Sequence, residues 1–348
     1  MPSPIDTPMV ECPACGDVTP ENNNGNDVTI RGFCEHCARN FFRCNGCRRI
    51  TSNRNRSTRY TTYCNLCYPS RFSYSPIGDP PWLGWELEVE SDHENFDNAR
   101  RETLRALPQS FATVKDDGSL SEYGFEIVSR PASYVEHVQA CTPFFEAYRL
   151  GKFGQLTSWS NTTCGLHVHI CRHGDGNPLD ATGDWTLSQH SIALLVCFVN
   201  LPRNRRFVQC IAGRDANHYT SFFHKRMATA HQRTGEKYEA VNLEHSATLE
   251  FRIFKGTLKA QSFFKALEFV LALSEFCRSM YNVRKALNVS AFIRYVREKA
   301  ETYPHLDSFI SNRWYGKPDR NGKTLWRLVN NRKPPPPPIQ HGSATIES

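Results

Sequence analysis

Residues 84–90 read Gly84-Trp85-Glu86-Leu87-Glu88-Val89-Glu90. Side chains of an extended strand alternate between its faces, so Trp85, Leu87 and Val89 point one way and Glu86, Glu88 and Glu90 the other. The pattern predicts a strand with one apolar and one acidic face. It returns in Cys164-Gly165-Leu166-His167-Val168-His169-Ile170, where His167 and His169 share the polar face. It returns again in Leu249-Glu250-Phe251-Arg252-Ile253, with Glu250 and Arg252 as the polar pair. A fourth segment, Gly124-Phe125-Glu126-Ile127-Val128, carries one acid in an apolar strand just after the turn Asp116-Asp117-Gly118-Ser119.

An antiparallel sheet with one solvated face alternates in this way, and a single such strand needs no further reading. Residue type sets these four apart. Their polar positions hold Glu, His and one Arg, and no Lys. Carboxylates crowded on one face repel unless a cation lies among them. Oxygen donors with an imidazole suit magnesium or manganese better than zinc. Such ions beside an arginine are the parts of a phosphoryl-transfer site, in which metals bridge phosphate oxygens and the guanidinium meets developing charge.

Around the strands, apolar residues at helical spacing predict helices over 95–107, 188–201, 261–287 and 290–303, the last stopped by Pro304. Strands mixed with helices give an α+β domain over 82–333. With 348 residues, 39% hydrophobic and 12% aromatic, the chain has the content of a globular protein with a core. The longest apolar run, Ile192 to Val199, is far short of the roughly 20 residues that span a bilayer. The opening MPSPIDTPMVEC has neither a basic start nor an apolar segment. These features predict a cytoplasmic protein that does not insert in membranes.

Residues 1–68 form a separate cysteine-rich module. Eight of the 14 cysteines fall there as four Cys-x-x-Cys pairs, Cys12/Cys15, Cys34/Cys37, Cys44/Cys47 and Cys64/Cys67, separated by 18, 6 and 16 residues. Thiolates paired across two residues, with a second pair 15–20 residues on, make tetrahedral zinc sites. The module is expected to bind two zinc ions in a zinc-ribbon or treble-clef-like arrangement, paired sequentially or cross-braced. Too small to fold on a core alone, it depends on the metal. No Asp or Glu lies between His36 and Gly78, while eight arginines do: Arg39, Arg43, Arg48, Arg49, Arg54, Arg56, Arg59 and Arg71. Such a block suits nucleic acid or an acidic partner, or is a solvated loop. Residues 69–81 read as a Pro- and Ser-rich linker, and 334–348, with five consecutive prolines, as an extended tail.

The series GWELEVE, KDDGSL with GFEIVSRP, CGLHVHI and TLEFRIFKGT, in that order over about Trp82 to Ala272, resembles the motif series of the amidoligase family, grouped with glutamine synthetase and glutamate–cysteine ligase. The resemblance does not extend to the cysteine module or the tail. It implies a glutamine-synthetase-like curved antiparallel sheet and an ATP-dependent ligase that joins a carboxylate to an amine through an acyl phosphate. Position by position, it implies magnesium ligands at Glu86, Glu88, Glu126, His167 and Glu250, with His169 beside them. Arg252 would face phosphate, and Asp117 and Glu126 would join it at the nucleotide. The acid and amine are open, a peptide or protein among them. The stretch Arg203, Arg205 and Arg206 is a further candidate for phosphate contacts.

Other readings carry less. Gly316 to Thr324 approaches a phosphate-binding loop but has five residues between its glycines rather than four, and no apolar strand feeds it. A cupin-like metal enzyme would need a carboxylate soon after His167-x-His169, and Cys171-Arg172-His173-Gly174 supplies none. Cys141, Cys164, Cys171, Cys197, Cys210 and Cys277 lie unpaired, mostly in apolar runs, as buried small residues do. A non-enzymatic alternative makes the zinc module an adaptor for nucleic acid or protein, with the large domain as scaffold.

Overall fold

The computed structural model describes residues 9–12, 16, 18–20, 37, 39–44, 50–55, 75–108, 110–160, 163–174, 185–215, 221–223, 225–236, 238–280, 287–318 and 324–328. Two short antiparallel hairpins lie in the cysteine-rich segment: β1 (Met9–Glu11) with β2 (Val18–Pro20), and β3 (Phe41–Arg43) with β4 (Ile50–Ser52). In the chain, the first Cys-x-x-Cys pair falls between β1 and β2 and the third between β3 and β4. Of the eight module cysteines expected to bind zinc, Cys12, Cys37 and Cys44 are among the described residues. Cys15, Cys34, Cys47, Cys64 and Cys67 lie outside the described residues, and with them both expected zinc sites as complete ligand sets.

The large domain is mixed α+β. Its six-stranded sheet runs β6 (Ala112–Lys115), β7 (Gly124–Ser129), β5 (Leu83–Glu90), β8 (Gly165–Cys171), β10 (Thr248–Lys255), β9 (Val241–Asn242), every neighbouring pair antiparallel. Seven α-helices are described: α1 (Phe96–Ala106), α2 (Tyr134–Arg149), α3 (Gln189–Asn200), α4 (Arg205–Ala212), α5 (Ala260–Ser279), α6 (Val289–Glu298) and α7 (Pro304–Arg313). No helix among the described residues is long and apolar enough to cross a membrane.

The apolar face of the sheet, with Trp85, Leu87, Val89, Ile127, Val168 and Phe251 buried, packs on helices. The Trp85 ring meets Phe263 of α5 edge-on at 5.1 Å between centroids. Behind Trp85 sits His137 of α2, fully buried. Its Nδ1 accepts from the Trp85 indole at 3.1 Å, so its other nitrogen carries the hydrogen that Leu83 O accepts at 2.8 Å. Burial lowers the His137 pKa from 6.5 to about 4 despite the backbone partners. The folded state therefore keeps a neutral ring that the unfolded chain protonates below pH 6.5, and stability falls as pH drops toward 4. Between pH 7 and pH 5 this amounts to about 2 kcal/mol. Urea unfolding at the two pH values should show His137→Asn losing less stability than the native chain by about that amount; equal losses would place the titration elsewhere.

The helices at 95–107 and 188–201 stand as α1 and α3, the second capped by Ser188 Oγ accepting from Ser191 N at 3.1 Å. Two boundaries differ from the sequence reading. The long helix ends at Ser279 rather than reaching 287, and the next stops at Glu298. Pro304 does not stop a helix. It opens α7, where a missing N–H costs nothing. Helix α2 was not legible, because Pro143 sits in its interior. Buried Phe144 and Phe145 hold it in place. Residues 75–81, expected as linker, are bound to the domain: Ser133 N donates to Ile77 O at 2.9 Å and the Trp82 indole to Gly78 O at 2.8 Å. The phosphate-loop-like stretch spans strands β11 (Trp314–Pro318) and β12 (Thr324–Leu328), paired antiparallel. A strand therefore stands where a phosphate loop would begin a helix. Cys141, Cys164, Cys171, Cys197 and Cys277 are buried, and burial raises Cys164 to about 12 and Cys171 to about 11, far from nucleophilic thiols.

Candidate metal and phosphate site

Strand register brings the polar residues together. Glu86 stands opposite His167, Glu88 opposite Glu126, and Glu250 opposite His169. Because the strands alternate in phase, all six project from the face opposite the helices. They line a cavity of 430 Å³ with Asp117, Ser119, Thr163, Arg252 and others. Glu88, Glu126, His167, Glu250 and Arg252 are buried, and Glu86 is half-buried. Glu90 shares the strand but leaves the cluster, its carboxylate accepting from Ser121 N and Oγ.

Distances within the face are those of a charge network. His167 Nδ1 lies 3.3 Å from Glu86 Oε2 and 3.5 Å from Glu250 Oε1. His169 Nε2 lies 3.5 Å from Glu86 Oε1, buried and without a hydrogen bond. Glu250 is held from both sides, by Asn242 Nδ2 donating to Oε2 at 2.9 Å and by the Arg252 guanidinium on Oε1. Three groups each bring one ligand atom per residue within 4.8 Å of the others: Glu86, Glu126 and His167; Glu86, His169 and Glu250; Glu88, Asp117 and Glu126. Five carboxylates with two imidazoles fit magnesium or manganese.

The electrostatics follow from the crowding. Burial would raise the Glu86 carboxyl, but His167 and His169 hold it well below the carboxylate range. Glu126 goes the other way, pushed up to about 9 by burial and by the charge of Glu86, with Asp117 and Glu88 adding and Lys115 opposing. Burial disfavours the His169 imidazolium, yet Glu86 and Glu250 outweigh it and raise its pKa. Two carboxyls on one face thus sit on opposite sides of neutrality, a pattern relieved when a divalent cation neutralises the shared charge.

Every polar residue of the four strand motifs except Glu90 reaches this cavity, and Asp117 does too. The arginine stretch does not. Arg203 donates to Leu287 O, Arg205 to Phe222 O while stacking on the Phe222 ring, and Arg206 lines a different cleft. Several lining residues were missed. Asn242 and Glu244 alternate with Val241 and Leu243, the same signal in a shorter strand. Arg214, whose guanidinium donates to Arg252 O at 2.7 Å and Ile253 O at 3.3 Å, carries no sequence signal, since it reaches the cavity only through the left-handed turn at Gly213. Tyr238 lies under the Arg252 guanidinium at 5.8 Å, and His245 lies beside His169. Across Glu86, His169 and His245 an apolar cleft of 480 Å³ opens, walled by Trp82, Val128 and Pro131. No protein-family model matches the chain, and comparison with curated proteins found no match.

Proposed function

We propose that the chain is an ATP-dependent carboxylate–amine ligase of glutamine-synthetase-like architecture, using magnesium or manganese on the acidic face of its sheet. The observation that carries this reading is the register of three opposed pairs, Glu86 with His167, Glu88 with Glu126 and Glu250 with His169, around one cavity with Arg252 and Arg214 at its wall. Glu86, Glu88, Asp117, Glu126, His167 and Glu250 would hold the ions, which supply charge neutralisation across the phosphate oxygens. Arg252, oriented by Glu250, and Arg214, anchored on backbone carbonyls, carry fixed positive charge for the phosphoryl group. An oxygen of the substrate carboxylate attacks the γ-phosphorus, forming a C–O–P anhydride and releasing ADP. The amine nitrogen then bonds the acyl carbon, phosphate departs with the C–O electron pair, and the nitrogen gives up a proton. The apolar cleft beyond His169 takes the organic part of a substrate. The cysteine module, with two zinc ions, recruits a peptide or protein substrate.

Isothermal titration of the zinc-loaded protein with ATP should give binding only when magnesium or manganese is present. Absence of cation-dependent ATP binding would overturn the ligase reading.

A further inference from the structure

A second cleft, of 550 Å³, is lined by Arg206 of α4, Arg214, Lys259, Lys265 of α5 and Arg313 of α7, with Asp215 as the one acid among its lining residues. Arg214 lines this cleft and the acidic cavity both. Five cations drawn from three helices and two loops do not collect by amphipathic patterning, and like charges so placed repel. Among the described residues, Arg206, Lys259, Lys265 and Arg313 form no ion pair with a carboxylate. A solvated basic surface would keep its charges in water, but Lys265 is buried. Its ammonium donates to Ile211 O at 2.6 Å and lies 4.4 Å from the Phe309 ring centre, while the Arg313 guanidinium lies 5.5 Å from the same ring. Burying an ammonium without a carboxylate is costly, and an anion in the cleft would offset that cost. The first turn of α5, through Ser262, also faces the cleft and adds the positive end of the helix dipole. At the rim the Trp159 ring is half-exposed, with Lys255 4.5 Å from its centre.

We propose that this basic cleft is a binding site for a phosphate-bearing anion of the di- or triphosphate class, taken up without a divalent cation and separate from the acidic face. Lys265 provides the inner charge, Arg206, Lys259 and Arg313 the outer ones, and Arg214 stands at the wall shared with the other cavity. The proposal does not rest on the ligase reading, since the acidic face repels anions when no metal is bound.

The test is calorimetric titration of the full zinc-loaded chain with inorganic pyrophosphate in magnesium-free buffer. Binding should weaken with rising salt and fall about tenfold or more in Lys265→Met, which keeps the buried volume while removing the charge. Arg313→Ser, at an exposed position that does not bear on folding, should weaken it by a factor of about three to ten. ADP as a second probe separates two sources of the anion. A gain over pyrophosphate that Trp159→Ala removes identifies a nucleotide, and equal affinities identify the phosphate groups alone; either result supports the site. No pyrophosphate binding without magnesium overturns the proposal. So does binding that both charge variants leave intact, because the anion would then sit elsewhere, as on the arginine-rich segment near the N-terminus.

Discussion

Glu250→Ala and Glu86→Ala should each weaken magnesium binding roughly 100-fold or more, and magnesium-dependent ATP binding should disappear with it. The two losses have different physical origins. Glu86 belongs to two of the three candidate ligand groups, so its removal dismantles both and leaves His167 and His169 facing each other without the shared carboxylate. Glu250 is also the counter-charge of Arg252, a buried guanidinium. Without Glu250 that cation would point into the site and repel the ion, adding to the loss of a ligand. Stability separates the cases. Removing the counter-charge of buried Arg252 should cost the metal-free protein about 3 kcal/mol, whereas half-buried Glu86 should cost far less. Thermal melts with and without magnesium read both effects together. At 100 times its dissociation constant, the ion should stabilise the native chain by about 2.7 kcal/mol and leave both variants unmoved. A magnesium-induced rise retained in either variant would remove that residue from the ligand set.

How much of this was legible in the sequence depended on what each residue's pattern could encode. Strand alternation encodes face, so Glu86, Glu88, His167, His169, Glu250 and Arg252 were readable as a polar set before their contacts were known. Alternation does not encode register, and only the structure pairs Glu88 with Glu126 or Glu250 with His169. Asn242 repeats the same alternation on β9, but two residues of strand give too short a run to weigh. Arg214 and His245 come from loops, whose path is set by tertiary packing and leaves no period behind. Composition misled at 75–81, where Pro and Ser read as linker while backbone hydrogen bonds tie the segment to residues 131–133. Proline position misled at Pro304, read as the stop of one helix where it opens α7, because one residue type serves as breaker or as first helical residue according to what precedes it. The apolar spacing of Phe264, Leu267, Leu271 and Phe276 marked the helix that stands as α5, though it ends at Ser279 rather than 287. Its charged members Lys265 and Glu268 leave no signal in that spacing, yet both are buried.

Glu268→Ala should be among the most destabilising single changes in the large domain, at about 3–5 kcal/mol. Its carboxylate, fully buried, accepts from three donors: the Tyr134 hydroxyl of α2, His305 Nδ1 at 2.7 Å and Leu306 N at 2.6 Å. Helix α7 has no side-chain cap of its own at Tyr303, so Glu268 of α5 caps it from outside and meets the positive end of its dipole. One carboxylate thus ties three helices together behind the sheet. Alanine would leave the Leu306 N–H unpaired, leave the Tyr134 hydroxyl only His305 Nδ1 at 3.3 Å, and open a void. Glutamine keeps the volume but offers one acceptor oxygen where two are used, so it should cost less than alanine and still about 1–3 kcal/mol. For a domain of this size the alanine change corresponds to a melting point lower by roughly 6–20 °C. Glu268 does not line the acidic cavity, so the protein that remains folded should keep its magnesium affinity. That separates a loss of helix anchoring from a loss of site: a melting point within about 2 °C of the native value would show that the three donors find water or other partners at little cost, and that α7 holds to α5 by its apolar contacts alone.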